Sequence, residues 1–377
     1  MEKITNNKFS IIITLFILGT LSSFSLPPYN FFFLNFFIFP ILFYIFVKTL
    51  NRNILSNFLI GWLYGFGYFL SNLYWISNSL KFDENFENLI IVSILVIPIL
   101  LSLFYGLFSY SLKFFNFDMN FSSILIFSLS LSIVEYLRGT IFGGFPWNLI
   151  SFSIIDLTSS LQILSLIGTY SLNLLVITFY CLPIVIFFNT KKIIKITTLL
   201  SVLLIFLINF YYGHNRIEQI ERTEKKVISP PIKLISPKFN IERFFVEEAI
   251  DYKINELLKI SHPLNKDFLL IYPEGITNTD ELNKLKSNIN KISRQLTDDS
   301  KIILGITSYD DDKILNSLIL YNKEFVIKDK YDKNKLVPFG EFLPFEKFLS
   351  KFGLKKITYG YKSFSSSKKR NIIKRID

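Results

Sequence analysis

A multi-pass α-helical membrane bundle followed by an α/β domain outside the cytoplasm is the fold class this sequence predicts. Three observations predict it. Half of the 377 residues are hydrophobic, and 42 of them are Phe. Up to Tyr212 the apolar residues gather into runs of about 20, the length a helix needs to cross a hydrocarbon core. After that point short apolar strands alternate with helical stretches, the pattern of a layered α/β domain. The division falls between 1–212 and 213–377.

Seven spans are expected: Phe9–Leu26, Phe31–Val47, Asn57–Leu80, Leu89–Phe115, Phe121–Gly139, Ser160–Phe188 and Ile193–Tyr212. The first is not read as a cleaved leader, because Leu26-Pro-Pro-Tyr29 offers no small-residue cleavage site and a second span follows at once. Orientation follows from the basic residues between spans. With the N-terminus inside, the inner segments carry Lys3, Lys8, Lys48, Arg52, Lys113, Lys191, Lys192 and Lys195, against Lys81 and Arg138 outside. Positive residues favour the cytoplasmic side, so seven spans place everything after Tyr212 in the periplasm of an inner-membrane protein.

The net charge of +11 is not a nucleic-acid signal. Basic and acidic residues balance between Gly213 and Ser350, whereas Lys351–Asp377 carries nine basic residues and one acidic. The excess sits in the tail and the inner loops, where it is solvated or touches anionic headgroups. Cys181 is the only cysteine and lies mid-span, so no disulfide can form within the chain and the residue reads as packing. His214 and His262 lack ligand-like spacing, so no metal site is expected.

Within the bundle, Gly61 and Gly65 share a helix face and invite close helix approach. Tyr74 and Trp75 suit an interfacial aromatic belt. Glu135 and Arg138 are three apart on one face near a span's outer end. Two roles are open to them, a structural pair or a lipid-headgroup contact. The Gly143-Gly-Phe-Pro-Trp147 string that follows cannot continue the helix.

In the second half, strands are expected at Ile232–Ser236, Ile302–Ile306 and Leu315–Tyr321, with helices over Asn240–Ile260 and Glu281–Leu296. Phe268–Glu274 is an apolar run that ends in a carboxylate. Glu274 thus stands at the C-terminal edge of a buried strand, where catalytic groups of α/β domains gather, and is a candidate general base. Tyr331–Pro344 reads as a rigid loop, since Pro338 and Pro344 each fix φ and remove a donor. Gly340 permits a backbone geometry that a residue with a Cβ resists. Such a loop can hold Lys333 and Glu341 at a fixed separation, although a charged, solvated turn is the blander reading.

Several strings coincide. Leu269-Leu-Ile-Tyr-Pro-Glu-Gly275, Asn316-Ser317 and Tyr331-Asp-Lys-Asn-Lys-Leu-Val-Pro-Phe-Gly-Glu341 resemble the nitrilase (carbon–nitrogen hydrolase) superfamily. Gly65–Trp75, Glu135–Trp147 and Gly168-Thr-Tyr-Ser-Leu-Asn173 resemble one branch of it, the bacterial apolipoprotein N-acyltransferase family. The resemblance runs from about Leu18 onward. It implies an α-β-β-α sandwich for the second domain and a Glu–Lys–Cys triad. By motif position Glu274 is the base, Lys333 (not Lys335) the oxyanion stabiliser, and Glu341 a supporting carboxylate. Phe245 stands nearest the place of an aromatic residue that is usually Trp. Phe245, Trp147 and Arg138 are the candidate substrate-binding residues. The implied partners are a phospholipid acyl donor, a diacylglyceryl lipoprotein acceptor and the membrane, for a monomer that needs no cofactor and no nucleic acid.

The family's nucleophilic cysteine comes on a strand after the Pro-Phe-Gly-Glu loop. By that spacing the strand begins shortly beyond Asp377, so the chain reads as a C-terminally truncated acyltransferase. Rival readings are a catalytically inactive fragment, a membrane-tethered amidase and a transporter with an external domain. The charge bias generates a test. Alkaline phosphatase fused after Tyr212 is expected to be active, and fusions at Asn51 or Asn189 inactive; a silent Tyr212 fusion would reverse the orientation.

Overall fold

The computed structural model describes residues 7–50, 53–81, 89–223, 229–237, 250–284, 293–338, 340–349, 351, 363–368 and 372–373. The chain divides into two compact units, 1–224 and 225–377.

The first unit is helical. Its helices are α1 (Lys8–Ser23), α2 (Asn35–Thr49), α3 (Ile54–Leu73), α4 (Ile90–Ser111), α5 (Phe121–Thr140), α6 (Leu164–Cys181, broken at Gly168) and α7 (Lys192–Arg222). Asparagine caps start three of them. Asn7, Asn53 and Asn120 accept the backbone N–H groups of Phe9, Ser56 and Ser123, which a helix start leaves without internal partners.

Among the described residues, six helical segments are long and apolar enough to cross a membrane by length and composition: Phe32–Thr49, Ile54–Leu80, Ile90–Phe114, Phe121–Thr140, Leu164–Phe187 and Lys192–Arg222. The first expected span, Phe9–Leu26, is present as the shorter apolar helix α1. The first apolar segment forms a helix of only 16 residues, about 24 Å long at 1.5 Å per residue. The hydrocarbon core is about 30 Å thick. Hydroxyl groups accompany its early end: Ser23 and Ser25 donate to the carbonyls of Thr20 and Ser22, and Pro27-Pro28 follows. At the other end of the unit, α7 continues past Tyr212 to Arg222.

Close backbone contacts set the packing. A Cβ on Gly61 would stand 2.1 Å from the Tyr105 carbonyl oxygen, and one on Gly65 would stand 2.8 Å from Tyr105 Cβ. Only glycine permits α3 and α4 to lie this close, as their spacing on one face anticipates. Tyr105 then reaches inward from α4 and donates to Glu135 Oε1 at 2.6 Å. Arg138 closes the cluster. Its Nε donates to Glu135 Oε2 at 3.0 Å, its Nη2 contacts the same oxygen, and its Nη1 donates to the Phe145 carbonyl at 2.5 Å. Glu135 and Arg138 have no side-chain exposure. Two charges with so little water are tolerated because each is neutralised by the other and held by further hydrogen bonds.

Among the described residues, the second unit is built on a five-stranded mixed sheet, β1 (Ile232–Leu234), β2 (Leu269–Ile271), β3 (Lys301–Asp310), β4 (Lys313–Asn322) and β5 (Ile327–Asp332), in that spatial order. β1, β2 and β3 are parallel; β3, β4 and β5 are antiparallel. Helices α8 (Ile250–Ser261) and α9 (Thr279–Lys284) accompany them. The register pairs Ile302 with Tyr321 and Leu304 with Ile319. These residues share one sheet face and bury against Ile254, Leu257 and Leu258 of α8. The helix expected over Asn240–Ile260 is described from Ile250 onward, and the one over Glu281–Leu296 as α9, with residues 285–292 outside the described set. β5 falls where a loop was expected to begin.

The Glu135–Arg138 pair carries a prediction. Glu135→Leu leaves an unpaired buried guanidinium and is expected to cost about 3–5 kcal/mol of stability. Glu135→Leu combined with Arg138→Met is expected to recover most of it. Heat-induced unfolding in detergent micelles measures both; a double variant no better than the single would show that the pair's worth is not charge compensation.

Candidate active site

The site lies in the second unit, on the sheet face opposite the α8 layer. β3 and β4 pair Gly305 with Leu318 and Thr307 with Asn316, so Gly305 and Asn316 share that face. The backbone N–H of Lys333 donates to the Asn316 carbonyl at 2.8 Å, bringing the end of β5 alongside β4. Three separate segments thus meet: the bulge after β2, the middle of β4, and the exit of β5.

Lys333 and Glu341 face each other across the loop. Lys333 Nζ donates to Glu341 Oε1 at 2.8 Å. Asn316 Nδ2 donates to the same oxygen at 2.6 Å and also to Glu274 Oε1. The second Glu341 oxygen accepts the Val337 N–H at 2.7 Å, while the Glu341 N–H donates to the Val337 carbonyl at 2.9 Å. The loop is therefore tied to itself at Val337 and Glu341. A neighbouring segment straps it: the N–H groups of Phe364, Ser365 and Ser367 donate to the carbonyls of Glu341, Ile314 and Lys333. The expected fixed separation of Lys333 and Glu341 is present. A Cβ on Gly340 would meet Val337 Cγ1 at an ordinary 3.4 Å.

Glu274 stands differently. Its carboxylate is 3.9 Å from Lys333 Nζ, an ion-pair distance rather than a hydrogen bond, and its side chain is 65 % exposed against 9 % for Glu341. One carboxylate is thus enclosed and fully engaged, and the other is open to a substrate. Lys333 has three N–H donors, and Glu341 takes one. Lys335 lies in a bend and is exposed. Asn316 was legible as part of a motif, but its bridging role was not.

The remaining sequence candidates lie elsewhere. Trp147 belongs to the first unit, half-exposed and stacked on Trp75 with ring centroids 5.5 Å apart. Arg138 is enclosed with Glu135, so of the two roles open to it the geometry is that of a structural pair. Phe245 lies outside the described residues. Cys181 is fully buried in the first unit's core.

Residues 18–182 match the family model of the apolipoprotein N-acyltransferase N-terminal domain. The match extends well beyond it. An apolipoprotein N-acyltransferase of Rhizobium etli is 28 % identical over 382 residues, covering 94 % of this chain and 70 % of that protein. Those of Allorhizobium ampelinum and Agrobacterium fabrum are each 26 % identical, covering 94 % and 93 % of this chain and 69 % of their own lengths. The chain is thus similar to apolipoprotein N-acyltransferases over nearly all of its length. The matched model ends at Leu182, so the Glu274, Lys333 and Glu341 cluster falls in the part that the N-acyltransferases of these three organisms share with the chain beyond their N-terminal domain.

Burial by itself would raise the Glu341 pKa, but the Lys333 ammonium, the Val337 N–H and the Asn316 amide outweigh it and hold the carboxyl below its ordinary value. A carboxyl held low in the fold adds stability above its unfolded value, about 4.3. That stability is lost as pH falls through the folded value. Glu341→Gln is therefore expected to lower the thermal midpoint at pH 7 and to flatten its decline below about pH 4. Midpoints between pH 7 and pH 3 check this; parallel curves for the two proteins would remove the linkage.

Proposed function

We propose that this protein is an apolipoprotein N-acyltransferase of the bacterial inner membrane. It moves an acyl chain from a phospholipid to the N-terminal amine of a diacylglyceryl-cysteine lipoprotein. The observation that carries the mechanism is the division of labour between the two carboxylates around Lys333, one enclosed and one open. Similarity to apolipoprotein N-acyltransferases supports the reaction, and helices long and apolar enough to cross a membrane suit substrates that are themselves lipids.

Glu274 is the proton-transfer group in this reading. It takes the proton of a thiol, whose sulfur attacks the ester carbonyl of the phospholipid. The tetrahedral intermediate collapses to a thioester, and Glu274 returns the proton to the departing alkoxide, giving a lysophospholipid. In the second half Glu274 takes a proton from the lipoprotein amine as its nitrogen attacks the thioester. The amide forms, and the sulfur leaves with the proton restored. Lys333 supplies the N–H donors that Glu341 leaves free to the oxyanion of each intermediate, a contribution worth a few kcal/mol once bound substrate excludes water. Glu341 and Asn316 fix the ammonium for that purpose. Cys181 is not the thiol in this scheme, since it is enclosed in the helical core.

We place the second unit in the periplasm as an α-β-β-α nitrilase-like domain. The loop charges support this side. Arg138 lies inside α5 and is paired, which leaves Lys81 as the basic residue of the outer loops against Lys48, Lys113, Lys191, Lys192 and Lys195 within.

The decisive test is acylation of a diacylglyceryl peptide by protein expressed from its own gene, with folding checked separately. Lys333→Ala is expected to lose roughly a hundredfold or more in rate, equivalent to about 3 kcal/mol. Glu274→Gln is expected to lose at least as much, because proton transfer stops in both halves. Lys335→Ala is expected to be mild. A dead Lys335→Ala beside an active Lys333→Ala would overturn the assignment, and turnover of small amides without acyl transfer would favour the tethered amidase.

A further inference from the structure

We infer that Gly305 is a positioning residue for Glu274, its missing side chain being the seat on which the carboxylate-bearing bulge rests. The inference deepens the reading of Glu274 as the proton-transfer group and rests on it.

β2 and its extension run parallel to β3, but not evenly. Tyr272 N–H donates to the Ile303 carbonyl at 2.9 Å, and Ile276 N–H donates to the Gly305 carbonyl at 3.2 Å. Between these bonds β3 advances two residues and its neighbour four, where a regular parallel ladder advances two on each. Pro273, Glu274 and Gly275 therefore stand off the ladder as a bulge. Proline has no N–H to lose there, and Gly275 takes a φ of +77° that a side chain resists. The chain rejoins β3 where Thr307 N–H donates to the Thr277 carbonyl at 3.1 Å. Bulges of this kind re-aim a side chain, here Glu274 toward Asn316 and Lys333.

The bulge lies directly on Gly305. A Cβ at that position would stand 2.6 Å from Glu274 Cα, 2.8 Å from Glu274 N and 2.8 Å from the Pro273 carbonyl oxygen. All three obstacles are backbone, so no flexible side chain can turn aside. Restoring ordinary contact requires the bulge to lift by roughly 1 Å. The lift would act on the one carboxylate that is held by a single amide bridge and not by the loop. Glu341 and Lys333 are fixed by Val337 and the β5 exit, away from the bulge, and would stay in place. Gly305 thus sets the separation between the proton-transfer group and the cation.

The experiment compares three variants expressed from the full gene. A displacement of about 1 Å in a reacting group costs on the order of a hundredfold in rate. Gly305→Ala is expected to lower kcat for acyl transfer by that order, with the phospholipid KM unchanged. Ile254→Val, a buried change on α8 in the core of the same unit, is expected to lower the thermal midpoint while keeping kcat. Glu274→Gln reports on the underlying reading. If Glu274→Gln is inactive and Gly305→Ala keeps its kcat, this inference alone falls. If Glu274→Gln stays active, both fall. Activity lost only in proportion to folded protein, failure of Gly305→Ala to accumulate, or a raised KM at normal kcat would each make the glycine's role structural and overturn the proposal.

Discussion

The Lys333 ammonium is the constraint around which the second unit's site is arranged. A half-buried cation needs a counter-charge that cannot drift away. Glu341 supplies it, and both of its oxygens are committed, one to Lys333 and Asn316 and the other to the Val337 N–H. The loop geometry, the strap of residues 364–367 and the pairing of β4 with the β5 exit all serve to keep that carboxylate where it is. With the cation already balanced, the second carboxylate is released from a structural duty. Glu274 stands exposed at ion-pair distance, free in the proposed mechanism to exchange protons without unmooring Lys333.

The helical unit solves a related problem with different means. Its enclosed charges, Glu135 and Arg138, are three residues apart on one helix, so secondary structure alone brings them together. Tyr105 reaches them because glycines let α3 and α4 approach to backbone contact. Arg138 in turn holds the Phe145 carbonyl, so the irregular segment after α5 is anchored by a group inside the bundle. Trp147, two residues on, is thereby presented against Trp75.

How much of this was legible in the residues depends on whether a signal is local. The apolar runs, the Glu135–Arg138 spacing and the Lys333–Glu341 loop are local, and the structure contains them. The first expected span ends earlier than its apolar run, at Ser23, where serine hydroxyls accompany the end of the helix and hydropathy does not register them. β5 was under-read because Ile327-Lys-Asp-Lys-Tyr-Asp332 carries little apolar alternation, as suits a strand at the edge of the sheet. Asn316 gains its role only from the register of β4 against β5, and Gly305 only from a bulge on a strand that is about thirty residues earlier in the chain. Pairings at that distance leave no trace in a window of neighbouring residues.

The pleat of β4 has one further consequence. Asn316 points to the site face, and its neighbour Ser317 to the other, where Ser317 Oγ lies 2.6 Å from Ser308 Oγ and donates to Asp332 Oδ1 at 2.6 Å. Asp332 in turn pairs with Lys330 at 3.0 Å. Lys333 follows Asp332 just as Ser317 follows Asn316. Two polar sets are thus written in alternate positions on the same strands, one facing the candidate site and one aligning the strands. A slip of a single residue would send the site-facing set into the apolar layer and the aligning set out of it. The ladder is therefore proofread by its own side chains: the hydroxyl chain closes only in the frame that also brings Asn316 and Lys333 together.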